Sequence, residues 1–250
     1  MVPRKQLGRL SIVTTSWDDG HPLDLRLAEL LARYGLAATF YVPRESGRPV
    51  MDTSEIRSLS TQFEIGAHTL DHRALDQLDG DAARQQLSGS RGWIEQMTGK
   101  PCQALCFPAG KFRPRQLSLV REAGFRSART VQLLSTGFPR QIEGVAMLST
   151  SVQAFPHSAL AYLRNAMKRR SLGNLVRAGA LFYRRDWREL ALRLLRQTLQ
   201  RGGVFHLWGH SWEIEEQHQW ERLEELLAVI AKNKDKLAIM TNSELATHAI

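Results

Sequence analysis

Two aspartates and two histidines have a spacing that could support metal-dependent chemistry. His68 and His72 are four residues apart in a polar segment, and this spacing can bring two imidazoles to one side of a helical turn. Asp18 and Asp19 are consecutive at the end of a strand-like segment, so a turn could direct one carboxylate at a metal ion and leave the other free. The alternative for residues 18–22 is a turn followed by a helix cap, which such residues often form.

The elements that position these residues alternate between strand and helix patterns. Polar residues follow four different strands: the two aspartates, the two histidines, a turn at Pro108–Gly110, and His210. The carboxyl ends of the strands converge on one mouth in a (β/α) barrel, so a barrel explains this arrangement better than an open sheet does. No linker or repeat divides the chain, and the sequence therefore predicts an α/β fold in a single domain, residues 1–250.

The hydrophobic periodicity gives approximate bounds for these elements. Strand patterns lie at residues 10–16, 37–42, 63–67, 104–107, 127–131, 145–148, 204–208 and 237–240. Helix patterns lie at residues 22–34, 53–59, 79–97, 114–123, 187–200, 220–232 and 243–248.

The composition is that of an ordinary globular protein, and the excess charge is local. The 250 residues are 43% hydrophobic and 24% charged, with a net charge of +9, which excludes a disordered, collagenous or disulfide-stapled chain. The segment from Arg164 to Arg201 holds eleven basic residues against Asp186 and Glu189, so the rest of the chain is neutral. We expect a basic helical insertion at about residues 157–201.

The basic segment has three explanations: a solvated helical face, a peripheral contact with anionic lipid, or attraction of an anionic glycan or nucleotide sugar. Nucleic acid ranks last, because no recognition motif accompanies the charge. The amino terminus lacks the apolar stretch of about 7–15 residues that a secretory signal requires, and no apolar run approaches the roughly 20 residues that cross a bilayer. We therefore expect a cytoplasmic protein, with peripheral contact at the inner membrane face as an option.

The motifs together resemble one family. Ser16-Trp17-Asp18-Asp19-Gly20 is similar to the Thr-Phe-Asp-Asp-Gly motif of the polysaccharide deacetylases, and His68-Thr69-Leu70-Asp71-His72 matches their His-Ser/Thr-x-x-x-His motif. Phe107-Pro108-Ala109-Gly110 and Leu207-Trp208-Gly209-His210-Ser211 resemble the third and fifth motifs. The resemblance, to a carbohydrate esterase family 4-like, NodB-type homology domain, extends from about residue 10 to residue 248.

This resemblance implies a distorted (β/α)7 barrel that binds a divalent metal ion through one aspartate and two histidines. Carried onto this sequence, the implied metal ligands are Asp19, His68 and His72. The ion expected first is zinc, although the same ligand set suits cobalt, nickel or iron.

The resemblance also implies catalytic roles for three further groups. Asp18 would be the base, the backbone N–H of Ala109 would bind the oxyanion, and His210 would protonate the departing amine. His206 is the rival to His210, because both lie in or after the strand at residues 204–208.

The chain departs from the family pattern in two places. The third motif has Cys106 where many members have an arginine, and Arg129 at the end of the following strand is the nearest substitute, with a surface arginine as the alternative. No acidic partner for the catalytic histidine is evident, although Glu213 is close enough in sequence to orient His210.

The sequence also offers candidates for contacting a substrate. Trp208 and Trp212 could stack on sugar rings, or one could pack in the barrel while the other covers its rim. The full set of substrate-contacting candidates is His21, His206, Trp208, Trp212 and Glu213.

Three functions remain open at this point. The first is a metal-dependent deacetylase acting on an N-acetylated amino sugar, in lipopolysaccharide O-antigen, peptidoglycan or a lipid-linked precursor. The second is a hydrolase of a cyclic amide or ureide on the same barrel. The third is a degenerate barrel that binds glycan or membrane without turnover.

Overall fold

The computed structural model describes residues 10–168 and 186–250, which form a curled, largely parallel sheet surrounded by helices. All the strand patterns seen in the sequence correspond to observed strands. The described residues form ten strands: β1 Ser11–Asp18, β2 Thr39–Val42, β3 Glu64–Ala67, β4 Ala104–Cys106, β5 Ser127–Arg129, β6 Arg140–Ile142, β7 Val145–Leu148, β8 Val152–Gln153, β9 Gly203–Gly209 and β10 Ala238–Ile239.

The order of the strands requires the sheet to curl into a distorted barrel. The strands follow the order β6-β7-β5-β4-β3-β2-β1-β9-β8, and β10 pairs with the amino-terminal half of β1. Strands β7 and β8 lie near opposite ends of this order, yet only residues 149–151 separate them in the chain. The sheet must therefore curl until its two ends meet, and the predicted distorted (β/α) barrel is confirmed.

Helices cover the outside of this sheet. The described α-helices are α1 Asp24–Arg33, α2 Thr53–Leu59, α3 Gly80–Thr98, α4 Leu117–Glu122, α5 Ala159–Lys168, α6 Trp187–Arg201, α7 Ser211–Glu216, α8 Trp220–Ala231 and α9 Asn242–Ala246. Each of them within the described residues is too short or too polar to span a bilayer. The predicted basic insertion lies partly outside the described residues, so its boundaries stay a prediction.

The periodicity missed three short elements. Strand β6 is exposed at all three positions and joins β7 through a tight turn, so it has no buried face to produce a hydrophobic pattern. Strand β8 is two residues long, and α7 is a polar six-residue helix.

Strand β1 lies between β2 and β9 in the barrel wall and brings the aspartate pair to the mouth. All eight of its residues are buried, and it pairs with β9 along seven of them. The parallel register then aligns the carboxyl ends of neighbouring strands: Asp18 lies beside Tyr41, and Cys106 lies beside Arg129. Residues distant in sequence therefore meet at one rim.

The turn after β1 depends on Gly20. Its φ is +60°, and a Cβ atom at this position would lie 2.6 Å from Val42 Cγ1. Glycine meets both constraints because it lacks a Cβ atom and adopts positive φ without a steric penalty.

We predict that Gly20→Ala destabilises the protein by about 1–3 kcal/mol, since it adds backbone strain and a clash with a buried valine. Gly92→Ala is the matched control: Gly92 lies within α3, a Cβ atom added there would meet nothing within 4 Å, and alanine should stabilise the helix by about 0.5–1 kcal/mol. Urea denaturation measures both effects, and equal effects of the two substitutions would contradict the proposed strain at Gly20.

Candidate active site

Asp19, His68 and His72 form a compact cluster at the carboxyl ends of β1 and β3. Asp19 Oδ1 lies 3.2 Å from His72 Nε2 and 3.6 Å from His68 Nε2. One potential ligand atom from each of the three residues falls within 4.8 Å of the others. Asp19 and His68 are buried, whereas the imidazole of His72 is about one-third exposed at the mouth.

The backbone at this mouth is held in an uncommon conformation. Asp19, Thr69, His72 and Ala109 all have positive φ values between 52° and 79°. Such values are uncommon for residues other than glycine and concentrate at functional sites, where the surrounding structure enforces them. The loops after three strands are therefore shaped to direct side chains and backbone groups into one space.

The imidazole of His68 is oriented by a second hydrogen bond. Its Nδ1 lies 2.9 Å from the carbonyl oxygen of Cys106, so this nitrogen donates and Nε2 carries the lone pair that faces Asp19. Burial lowers the pKa of His68 to about 4, which keeps the ring neutral at neutral pH. A neutral imidazole fixed in this way is the form in which histidine binds metals.

The donor set fits a divalent metal ion. Asp19 Oδ1 is buried and accepts no hydrogen bond, an arrangement that is costly unless a cation approaches it. Burial raises the pKa of Asp19, but the imidazoles of His72, His68 and His210 lower it by more. The pKa therefore lies well below the usual range of an aspartate, and the carboxylate stays ionised. One carboxylate and two imidazoles are a donor set that zinc accepts with open coordination positions.

Asp18 lies behind this cluster and is paired with Arg129. Arg129 Nη2 donates to Asp18 Oδ2 and lies 2.8 Å from the sulfur of Cys106. Arg129 is 0% exposed, which excludes a surface position for this arginine. Burial raises the pKa of Asp18, but Arg129 and the neighbouring His68 and His210 lower it below its usual value. The other oxygen, Oδ1, is buried and accepts no hydrogen bond.

His210 lies on the opposite side of the cluster. Its Nδ1 lies 2.5 Å from Glu213 Oε2, and its Nε2 lies 3.9 Å from Asp19 Oδ2. Burial lowers the pKa of His210, but the hydrogen bond to Glu213 and the carboxylates of Asp18 and Asp19 raise it, to about 8. The acidic partner for His210 is thus three residues away, where α7 begins.

His206 and Trp208 are placed inside the barrel. His206 is 1% exposed, and its two nitrogens contact Ser16 Oγ at 2.8 Å and the carbonyl of Ser149 at 3.1 Å. Trp208 is 5% exposed and packs against the guanidinium of Arg129. Neither side chain offers a surface to a substrate, so substrate contact, for which both were candidates, is not supported by their positions.

Trp212 and His21 lie at the mouth. Trp212 Nε1 donates a 3.0 Å hydrogen bond to Asp19 Oδ2, and the guanidinium of Arg48 lies 3.5 Å above its ring. His21 is half-buried, and its Nδ1 accepts from the N–H of Leu23, which holds the entry to α1. The indole N–H of Trp212 thus orients the Asp19 carboxylate, and the guanidinium of Arg48 covers one face of the indole ring.

The turn that holds Ala109 opens onto the same mouth. Ala109 is exposed, and the two hydrogen bonds of its turn are donated by the N–H groups of Gly110 and Lys111 instead. The N–H of Ala109 is left out of these bonds.

Two contacts at the site had no signal in the sequence. Arg48 belongs to the loop after β2, and Gln153, from the two-residue strand β8, donates from Nε2 to Glu213 Oε2 at 2.8 Å. Both come from segments without a recognisable motif, and only the folded chain brings them to the mouth.

Comparison with known proteins gives one family match, in the amino-terminal half of the chain. The sequence profile described as polysaccharide deacetylase matches residues 8–128, the region that carries the aspartate pair, both cluster histidines and the Ala109 turn. This match covers just under half of the chain, and it confirms the resemblance to the polysaccharide deacetylases that the motifs indicated. A search of curated proteins finds no match to this chain.

Solved structures share the fold at low sequence identity. A candidate polysaccharide deacetylase from Mycobacterium smegmatis aligns with a TM-score of 0.69 and 17% identity, covering 99% of this chain and 92% of its own. A peptidoglycan N-acetylglucosamine deacetylase aligns with a TM-score of 0.56 and 15% identity, covering 95% and 90%. A carbohydrate esterase family 4 pseudoenzyme from Bacillus anthracis aligns with a TM-score of 0.54 and 15% identity, covering 96% and 66%.

We predict that the cluster binds zinc and that each histidine is needed. Changing a residue that only orients a metal ligand typically costs roughly 10–100-fold in metal affinity. His72→Asn should weaken zinc binding by more than that, because it removes a direct ligand. His218→Asn is the matched control, since His218 shares the φ of 52° and lies in an exposed turn. Calorimetric titration of zinc into metal-free protein measures the affinities, and equal affinities for the two variants would contradict the assignment.

Proposed function

We propose that this protein is a metal-dependent deacetylase that hydrolyses the acetamide of an N-acetylated amino sugar, in a cell-envelope polysaccharide or its precursor. The observation that carries the proposal is the placement of Asp18, with one oxygen held by Arg129 and the other free, beside a three-donor cluster that faces His210. The reaction consumes water and gives acetate and a free amine.

Asp19, His68 and His72 would hold the metal ion. When bound, a divalent ion would supply a Lewis acid that activates water and polarises the acetamide carbonyl. Trp212 would keep the Asp19 carboxylate in orientation through the hydrogen bond at Oδ2, and the carbonyl of Cys106 would do the same for His68.

Asp18 would act as the general base. Its lowered pKa keeps the carboxylate ionised at neutral pH, and Oδ1 is free to accept the proton of the attacking water. Arg129 would fix the carboxylate by holding Oδ2, which replaces the arginine that is missing from the third motif.

His210 would act as the general acid. Glu213 holds Nδ1, so Nε2 is the nitrogen directed towards the cluster and the one that would give a proton to the departing amine. A pKa of about 8 keeps the imidazole protonated at neutral pH before that step. The exposed N–H of Ala109 would stabilise the oxyanion that forms on the carbonyl oxygen.

The family and its structural relatives support the substrate class. One relative is described as a peptidoglycan N-acetylglucosamine deacetylase, which supports an N-acetylated glycan as substrate for this chain. Another is described as a pseudoenzyme, so the fold alone does not decide that turnover occurs. The preserved base, ligand set and acid are what favour catalysis here over a binding role.

Contact with a membrane surface through the basic segment stays a prediction. Arg169, Arg170, Arg177, Arg184 and Arg185 lie outside the described residues. Within the described part, Arg188 pairs with Glu225 at 2.6 Å, so part of the charge is neutralised by α8.

We predict that Asp18→Asn lowers the turnover of an N-acetylated chitooligosaccharide by about a hundred- to ten-thousandfold, because it removes the general base. Zinc affinity should stay close to that of the parent chain, since Asp18 is not among the proposed ligands. Acetate release and calorimetry measure the two properties, and near-normal acetate release would remove Asp18 as the base.

We predict that Arg129→Met lowers the free energy of unfolding of the metal-free protein by about 3–5 kcal/mol at neutral pH, because it leaves a buried carboxylate without its cation. The pKa of Asp18 in the folded protein lies below its unfolded value, so the pairing stabilises the protein above that value and its effect is lost as the pH falls. The difference between the parent and Arg129→Met should therefore shrink below about pH 4.

The double variant Asp18→Asn/Arg129→Met provides the control for this effect. It should recover much of the stability lost in Arg129→Met, because no unpaired charge stays buried. Purely additive effects in urea denaturation would show that the two side chains are not coupled.

A further inference from the structure

A chain of hydrogen bonds continues beyond Glu213, away from the mouth. Gln153 Nε2 lies 2.8 Å from Glu213 Oε2, and Gln153 Oε1 lies 2.7 Å from His157 Nε2. Gln153 is only 6% exposed, so solvent has little access to replace these partners. None of the proposed catalytic steps uses Gln153 or His157.

The chemistry of the groups fixes the direction of each bond. An ionised carboxylate only accepts hydrogen bonds, so Gln153 must turn its NH₂ group towards Glu213 and its oxygen towards His157. His157 must then donate from Nε2. Both hydrogen bonds therefore run in the same direction, from His157 to Gln153 and from Gln153 to the carboxylate of Glu213.

Glu213 Oε2 is the atom at which this chain meets His210. The same oxygen accepts hydrogen bonds from His210 Nδ1 at 2.5 Å and from Gln153 Nε2 at 2.8 Å. The two donors together hold the carboxylate in the orientation that His210 needs. A glutamate on a helix of six residues has several rotatable bonds, so without Gln153 its carboxylate would be free to turn.

Packing holds the far end of the chain. The His157 ring lies against Phe155, with ring centroids 4.9 Å apart, and meets the edge of Tyr162 at 5.6 Å. Tyr162 belongs to α5 and is buried. The amide of Gln153 is therefore anchored between a packed aromatic cluster and the carboxylate of Glu213.

We propose that Gln153 is a positioning residue for His210, acting through Glu213, and that His157 holds the Gln153 amide in the orientation this requires. This inference rests on the proposed function in one respect, the role of His210 as the general acid. It assigns part of the barrel wall, β8 and the start of α5, to the support of that acid.

Two substitutions of Gln153 test the inference through kinetics on an N-acetylated chitooligosaccharide. Gln153→Met keeps the length of the side chain and removes the donor, and Gln153→Glu keeps its shape and replaces the donor by an acceptor. Each should lower kcat by about ten- to a hundredfold while KM changes little, because Gln153 is buried and bonds to Glu213. Gln197→Met is the control, since the Gln197 amide contacts Thr136 and should leave both constants unchanged.

A double-mutant cycle tests whether Gln153 acts through Glu213. On a Glu213→Ala background, Gln153→Met should change kcat less than about twofold, because the connecting carboxylate is gone. A full additional loss in that background, or no loss in the single variant, would overturn the inference.

A spectroscopic readout separates this inference from the proposed function. The Nδ1 proton of His210, assigned by its disappearance in His210→Ala, should give a downfield NMR resonance that weakens or shifts in Gln153→Met. A parent protein that releases no acetate but shows this shift would refute the proposed function and leave the positioning role intact. An unchanged resonance in Gln153→Met would refute the positioning role whatever the activity.

Discussion

The buried pairing of Arg129 with Asp18 is the interaction on which the rest of the site depends. Removing a carboxylate and a guanidinium from water is costly. Their mutual attraction offsets this cost only if the strands that carry them hold the two groups in good geometry. The pairing holds one oxygen of Asp18, leaves the other buried without a hydrogen-bond partner, and keeps the carboxylate ionised. In the proposed function, Arg129 would take the place of the arginine that many polysaccharide deacetylases have where this chain has Cys106. Cys106 and Arg129 are register partners on β4 and β5, so their side chains leave the same face of the sheet, and either strand can supply the guanidinium.

A second constraint acts on the loops that follow the strands. The backbone at Asp19, His72 and Ala109 has positive φ, and the buried β1 fixes where the first of these loops begins. This strain is maintained because the parallel strands on either side are packed over their full length. The barrel and its loops thus place one potential ligand atom of each cluster residue within 4.8 Å of the others.

The fold and the cluster were predictable from the sequence because their signals are local. Strand β1 is a buried run that ends in two aspartates, and the strand at β3 ends in the histidine pair, so type and spacing identify both. Glu213 could also be predicted as the partner of His210, since the side chain of the third residue of a helix often turns back towards the residue that precedes the helix. Strand β8, with two residues, and α7, a polar helix of six residues, gave no hydrophobic periodicity that could predict them.

The sequence by itself determined the alternation of strands and helices, the resemblance to polysaccharide deacetylases, and which residues are candidates for the base, the ligands and the acid. Only the tertiary structure decided how these residues are buried and which side chains they contact. It buried His206 between Ser16 and Ser149 and left His210 at the mouth, it brought Arg129 onto Asp18, and it joined Gln153 to Glu213. The physical reason is that hydrophobic periodicity is a property of neighbouring residues, whereas these polar contacts join segments that are far apart in the chain. Their geometry follows from strand register and barrel closure, which no local pattern records.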